Sequence, residues 1–262
     1  MARVRLDAEL VRQGFFRTAD DAARSVMAGD VSTSSRRLDS PGEQVRPGIE
    51  LHVRGSIPYV SRGGLKLAAA LDAFPVDPRG LACLDVGCST GGFTDCLLGR
   101  GAASVLSVDV GYAQFDWSLR RDRRVELLER TNIRDVPSPE RDGSIDLAVC
   151  DVSFTSVLTV LPAVMSLLSD DGAFITLVKP QFEAAHSEVG RGGVVEDASV
   201  RLACLRRVAS GLADAGLGLV GACASPITGH RGNHEYLLMG ARGREGVAVS
   251  DLGLEGLVAA DG

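Results

Sequence analysis

At 262 residues the chain is long enough for one large domain, or for a small domain joined to a larger one. Its 45% hydrophobic and 24% charged residues can build a buried core, which excludes a disordered chain, and no run approaches ~20 apolar residues, which excludes a membrane-spanning helix. A net charge of −6 excludes a strongly basic nucleic-acid binder, and the start MARVRLDAEL has no apolar signal region, so a cytoplasmic location is expected.

Charge is unevenly spread: residues 1–62 carry ten arginines against eight carboxylates, and the rest of the chain is net acidic. The asymmetry is too mild to define a basic arm. Six cysteines form no C-x-x-C pair, and several fall in apolar runs. Reduced, buried thiols are expected, and neither these nor the four scattered histidines suggest a metal site.

Residues 1–55 read as a small α+β module. In RLDAELVRQG, Leu6, Leu10 and Val11 share one helical face and Gly14 signals the end. A second helix starts at TADD, where Thr18 and Asp21 have capping-box spacing, and stops at Gly29. Strand-like pieces follow near Val31, in RLD and in IELHVRG, with a turn at SPGEQ. Arg3, Arg5, Arg12, Arg17 and Arg24 lie on the helical pair, and Arg36 and Arg37 in the hairpin. They make either a face for phosphate contacts or an ordinary solvated surface, since Asp7, Glu9, Asp20 and Asp21 interleave with them.

Residues 56–62, within RGSIPYVSRGG, read as a linker. From 63 to 242, after a leading helix LKLAAALDAF, seven strand-like runs appear: LACLDVG, SVLSVDVG, VELLER, IDLAVCDVS, AFITLVKP, LGLVGACAS and HEYLLMGAR. Helical patterns at 91–100, 155–168 and 199–215 lie between them. Continuous apolar strands alternating with amphipathic helices predict an α/β, doubly wound, mainly parallel sheet. Seven strands suit a Rossmann-like methyltransferase better than a six-stranded dinucleotide fold. Residues 243–262, glycine-rich and acidic, read as a frayed tail.

LDVGCSTGGFTD follows the first strand of this sheet and opens a helix. Gly87, Gly91 and Gly92 are spaced G-x-x-x-G-G, not G-x-G-x-x-G, and Asp85 precedes the first. A carboxylate there would repel a pyrophosphate but attract a cationic amino acid or a sulfonium. Gly87, Ser89, Thr90, Gly91, Gly92 and Phe93 are therefore candidates for holding S-adenosylmethionine, although glycines also serve tight strand–helix packing. Asp109 ends the second strand, where it can accept ribose hydroxyls. Asn132, in RTNIRD, can face an adenine or cap a turn. The run LRRDRR places Arg120, Arg121, Arg123 and Arg124 where they either hold RNA phosphates or close a helix C-terminus, the simpler reading.

Against 26 arginines the chain has two lysines, Lys66 and Lys179. Arginine stays protonated, whereas lysine can act as a neutral amine. Lys179 ends AFITLVKP, Asp151 ends IDLAVCDVS on the preceding strand and borders the cofactor edge, Glu235 begins the last strand, and Lys66 lies on the leading helix. Such a cluster suits proton removal from a sugar hydroxyl, with Lys179 as base, Lys66 as the neighbouring cation that favours its neutral form, and Asp151 and Glu235 orienting the amines. A salt-bridge network with no catalytic role would use the same residues.

The set Lys66, Asp151, Lys179 and Glu235 resembles the K-D-K-E tetrad of RNA ribose 2′-O-methyltransferases. The strings SRGGLKL, LDVGCSTGGFTD, VDVGY, ERTNIRD, CDVSF, LVKPQFE and GNHEYLL resemble the TlyA-type branch, which is also labelled haemolysin A. The resemblance covers about residues 3–242. It implies an S4-like RNA-binding module ahead of a Rossmann-like methyltransferase domain, with S-adenosylmethionine as cofactor. It also implies cytidine 2′-hydroxyls of 16S or 23S ribosomal RNA, or both, as the acceptor, with ribosomal RNA or ribosomal subunits as partner. One departure stands out: the family's hairpin usually reads close to V-x-V-N-G, and here it is VSTSS, without the Asn-Gly turn. Two other readings compete. A membrane-active haemolysin finds no span and no basic amphipathic helix with an aromatic face. An RNA-binding factor without turnover is opposed by the intact tetrad and loop. Oligomeric state is left open, with a monomer favoured.

Overall fold

The computed structural model describes residues 3–12, 15–16, 18–33, 36–49, 51–54 and 58–261, and the chain divides into two compact units, Met1–Val60 and Ser61–Gly262. In the first unit, strand β1 (Val4–Arg5) runs into helix α1 (Leu6–Arg12), and helix α2 (Ala19–Ala28) follows. The Thr18 hydroxyl accepts from the Asp21 amide at 3.1 Å, capping the α2 N-terminus, and donates to the Asp21 carboxylate at 2.6 Å. Gly29, at φ 81°, ends the helix. Strands β2 (Val31–Ser32), β3 (Gln44–Val45) and β4 (His52–Val53) complete two minimal antiparallel ladders, β1 with β3 and β2 with β4. Leu6, Leu10, Ala22, Val26, Val31, Leu38, Val45 and Leu51 make one small core beneath them.

Thr33 and Arg36, which flank the two positions where Asn-Gly was expected, bond to each other. The Thr33 amide donates to the Arg36 carbonyl at 2.8 Å, and the Thr33 hydroxyl accepts from the Arg36 amide at 3.2 Å. Gly14, Arg17, Ser34 and Ser35 lie outside the described residues.

The second unit starts with helix α3 (Gly63–Ala73) and alternates thereafter: β5 (Ala82–Val86), α4 (Gly92–Gly99), β6 (Ser104–Val108), α5 (Trp117–Arg120), β7 (Val125–Leu128), β8 (Ile145–Cys150), α6 (Val157–Leu167), β9 (Leu168–Val178), α7 (Pro180–Glu183), α8 (Ala198–Asp214), β10 (Gly218–Ala224), β11 (Tyr236–Ala241) and α9 (Leu254–Ala259). All seven strands expected from the sequence form a single sheet in the order β10-β11-β9-β8-β5-β6-β7. β11 alone runs antiparallel to its neighbours. Strand β8 and the second half of β9, from Ala173 to Val178, are mostly apolar because both faces are covered, with α6 and α8 sharing one core with the sheet. The strand order reverses at β5, so a crevice opens at the carboxyl ends of β5 and β8, where ligands bind in such sheets.

The tail is folded, contrary to the expectation of fraying. After β11 the chain makes a tight 3₁₀ turn at Val249–Leu252 and then α9, burying Leu252, Leu254 and Val258 in the main core against α8. Leu254, Leu257 and Val258 have helical spacing, and this apolar stripe outweighs the surrounding glycines and carboxylates. The Tyr236 hydroxyl also donates to Asp261, fixing the end of the segment to β11. Among the described residues no helix is long and apolar enough to cross a membrane.

Candidate active site

Strand β5 ends at Val86 and the chain must turn at once to enter α4. Gly87 makes the turn at φ 81°, and a Cβ on it would stand 2.8 Å from the Asp151 carbonyl oxygen. A Cβ on Gly92 would collide with the Ser61 hydroxyl and lie 2.9 Å from the Gly64 amide, so this second glycine lets α4 begin against the start of α3. The result is a cavity of about 270 Å³. Gly87, Ser89, Thr90, Gly92 and Phe93 line it, with Lys66 and Asp151. Ser61, Arg62 and Thr228 line it too, and nothing in their local sequence announces this. The Arg62 guanidinium donates to the Thr228 carbonyl at 2.7 Å, tying the lead-in of α3 to the β10–β11 loop. Gly91 does not line the cavity; it is the α4 N-cap and packs on Phe115 and Leu119.

Asp109, just past β6, holds the loop from the other side. Its Oδ2 accepts from the Ser89 amide at 2.7 Å and its Oδ1 from the Gly111 amide at 2.6 Å. Each oxygen keeps a lone pair for a further donor. Asn132 caps a short 3₁₀ turn, its Oδ1 accepting from the Arg134 amide at 3.1 Å, and its side-chain amide hydrogens are not spent in that bond.

Asp85 departs from the sequence reading. It is fully buried and lines no part of the cavity: its Oδ2 accepts from the Thr94 amide at 2.9 Å and the Thr94 hydroxyl at 2.6 Å, and the latter meets the Ser107 hydroxyl at 2.8 Å. Strand alternation turns the side chain toward α4, away from any ligand cation. Its Oδ1 has no hydrogen-bond partner among the described residues. Burial raises this carboxyl to about 7, although the Thr94 hydrogen bonds oppose the shift.

At the next strand ends the four charged residues meet. Lys66 Nζ donates to Glu235 Oε2 at 2.5 Å, from α3 to the start of β11. Lys179 Nζ approaches Asp151 Oδ1 to 2.6 Å without hydrogen-bond alignment and donates to the Ser153 hydroxyl at 2.9 Å. Both lysines are 9% exposed. Each amine has its own carboxylate, Lys66 with Glu235 and Lys179 with Asp151. A second cavity of about 550 Å³ opens beside the first. Lys66 lines both, Asp151 the first, and Lys179 and Glu235 the second. Phe154 and Phe182 also line the second cavity, ring centroids 5.0 Å apart, with Phe154 91% exposed. Ser153 and Phe154 went unread in the sequence, where they look like the end of a buried strand.

The residues present fit an adenosyl cofactor better than a dinucleotide. Asp109 and Asn132 do not line the cavity; Asp109 borders it through the Ser89 amide, with lone pairs that a cofactor hydroxyl could use, and glycines permit close approach of the loop. The carboxylates Asp109 and Asp151 around the crevice would oppose a pyrophosphate.

In the first unit Arg5 pairs with Asp7 at 2.5 Å, Arg24 with Asp21, and Arg36 with Glu43, while Arg3 reaches only the Gln44 carbonyl at 3.4 Å. On the second unit Arg120 pairs with Glu129 at 2.5 Å and Arg124 with Asp122 at 2.7 Å.

Residues 59–242 match the profile of the FtsJ-like methyltransferases. The 16S/23S rRNA (cytidine-2′-O)-methyltransferase TlyA of Mycobacterium tuberculosis is 45% identical over 258 residues, 98% of this chain and 96% of that one. The 23S rRNA (cytidine-2′-O)-methyltransferase TlyA of Campylobacter jejuni is 35% identical over 190 residues, 72% of this chain and 73% of that one. Among solved structures, a protein described as a hemolysin from Streptococcus thermophilus superposes with a TM-score of 0.74 at 38% identity, covering 100% of this chain and 96% of that one. A profile match over most of the length and identities of this size have one meaning: the chain belongs to the FtsJ-like methyltransferase family, in its TlyA-type branch.

Proposed function

We propose that this chain moves a methyl group from S-adenosylmethionine to a ribose 2′-hydroxyl of cytidine in ribosomal RNA. The observation that carries the reading is the junction of two cavities at Lys66, with Asp151 on one side and Lys179 and Glu235 on the other. A donor and an acceptor held in adjoining cavities would meet at the four charged residues. When bound in the first cavity, S-adenosylmethionine supplies a methyl group already activated by its sulfonium.

The chain's own residues do the rest. Asp109 would accept the cofactor's ribose hydroxyls with its remaining lone pairs, Asn132 would turn its amide to the adenine, and the Gly87–Phe93 loop would give close backbone approach. Lys179 would take the proton from the acceptor 2′-hydroxyl. Asp151 and the Ser153 hydroxyl fix its Nζ in place, and Glu235 does the same for Lys66. Alignment gives effective molarities of ~10⁵–10⁸ M against ~10²–10⁴ from a general base, so positioning carries most of the rate. The paired amines are built for that. The exposed ring of Phe154 offers a flat face for the acceptor base, with Phe182 tilted behind it.

The first unit would act as an S4-like RNA-binding domain that brings ribosomal RNA to the second. Arg3, Arg5 and Arg24 are exposed there, and the exposed Arg24–Asp21 pair can yield to phosphates. Relatives named for both 16S and 23S RNA, and for 23S alone, leave 16S, 23S or both as the target.

The test is transfer of labelled methyl from S-adenosylmethionine to isolated 30S subunits, 50S subunits and free rRNA, followed by nuclease mapping of the modified ribose. Label on a cytidine 2′-oxygen is expected and names the particle. Cofactor binding with no label on any particle would favour an RNA-binding factor without turnover.

A further inference from the structure

Past the end of β6 the second unit builds a surface that the transfer reaction leaves unused. Trp117 is 65% exposed and Tyr112 59%. Each ring carries a guanidinium on one face: Arg121 Cζ lies 5.1 Å from the centre of the Trp117 ring, and Arg130 Cζ 3.9 Å from that of Tyr112. Neighbouring Arg120 and Arg124 are taken up by Glu129 and Asp122, whereas Arg121 and Arg130 make no salt bridge among the described residues.

The loops that carry these rings are stitched together. The Ala113 amide donates to the Glu129 carboxylate at 2.7 Å, the Arg130 amide to the Gly111 carbonyl at 2.9 Å, and the Thr131 amide to the Asp109 carbonyl at 3.0 Å. Ala113 and Arg130 stand at φ 60° and 53°, a conformation that residues with a side chain adopt at a cost. Among the described residues the other non-glycine ones with positive φ are Ser89, Phe154 and Arg231, and all three line the two cavities. Strain in this chain marks the site and this surface alike.

We propose that Tyr112–Arg130 and Trp117–Arg121 form a second RNA-contact surface, on which unpaired bases flanking the target stack while the two guanidiniums meet their phosphates. It rests on RNA being the acceptor. Charge selects the occupant. An adenosyl cofactor has one carboxylate and no phosphate, whereas an RNA strand offers an anion at every nucleotide. Glu129, which also feels the charge of Arg130, is bridged by Arg120, and Asp116 accepts from the Ser118 amide at 2.8 Å, so neither closes a salt bridge with the two arginines.

Trp117 is the only tryptophan in the chain, so its emission reports on this surface alone. The full chain is titrated with 16S and with 23S rRNA, following tryptophan emission and, in parallel, binding by filter retention. Saturable quenching that tracks binding is expected. Trp117→Ala and Tyr112→Ala should each weaken RNA binding about 10-fold to 100-fold, Trp117→Phe should recover most of the loss, and calorimetric binding of S-adenosylmethionine should be unchanged in all three. Binding and methyl transfer with flat emission would overturn this surface and leave the proposed activity standing. Quenching by S-adenosylmethionine alone would reassign the surface to the cofactor. Wild-type protein that binds neither RNA would remove the RNA reading itself, and this proposal with it.

Discussion

Both units hold cations against carboxylates, and what differs is the water left around each pair. In the first unit Arg24 meets Asp21 and Arg37 meets Asp39, with all four side chains at least 43% exposed. At the reaction edge Lys66–Glu235 and Lys179–Asp151 close to 2.5 and 2.6 Å with all four side chains at 20% exposure or less. Exposed pairs contribute ~0–1 kcal/mol and fade with salt. Buried pairs have lost hydration and penalise any change that strands one partner. The same kind of pair therefore marks an exchangeable surface in one unit and a fixed geometry in the other. Arginine serves the first purpose. At the reaction edge the second falls to the only two lysines in the chain, while away from it the buried Arg201 faces Asp261.

The sharpest way to break this comparison is Lys179→Arg, which keeps the charge and removes the neutral amine. Single-turnover methyl transfer should fall by ~10²–10⁴ while cofactor binding holds. Near-normal turnover would make the Lys179–Asp151 pair a structural strut and end the base assignment. Glu235→Leu tests the other pair. It leaves the Lys66 ammonium buried and alone, so urea denaturation should show a loss of about 3–5 kcal/mol, with Lys66→Met/Glu235→Leu recovering much of it. No recovery in the double variant would mean that packing around Glu235, not the stranded charge, sets the cost.

Asp85 sharpens the contrast as a buried carboxyl with hydroxyl partners and no cation. Its folded value of about 7 lies above the ordinary 3.8, so the folded state holds a proton that the unfolded state releases between those two pH values. Its contribution to stability is full below pH ~4 and is lost as pH rises through ~7, the reverse of a salt-bridged Asp. The three-unit displacement corresponds to at most about 4 kcal/mol. Asp85→Asn should remove that slope: denaturation profiles of the two proteins should converge at pH 4 and separate by pH 8, with the variant the more stable. Parallel profiles would place the titration elsewhere.

How far the sequence foretold these arrangements depended on what each signal encodes. The seven strands were legible because buried parallel strands are continuous apolar runs, and the G-x-x-x-G-G loop because close approach demands glycine. The orientation of Asp85 was not, since alternation says which residues share a face and not which layer covers it. Ser61 and Thr228 reach the cavity only through tertiary packing of distant segments. β1, two residues long, carries no period, and α9 hid a three-residue apolar stripe in glycine-rich surroundings. The exposed Phe154 follows a buried strand, and nothing in the run of residues before it signals exposure.

The mildest expectation concerns Arg24, whose pairing with Asp21 leaves its side chain 69% exposed. If surface pairs are exchangeable, Arg24→Ala should leave the denaturation midpoint at the wild-type value. It should weaken ribosomal RNA binding modestly and equally for 16S and 23S, because a phosphate contact carries no sequence information. The salt dependence discriminates: losing one phosphate contact lowers the slope of log K against log salt by about 1. An unchanged slope would mean that the Asp21 carboxylate keeps its partner when RNA arrives. The first unit's ion pairs would then be as fixed as the lysine pairs of the second, and burial would not be what separates them.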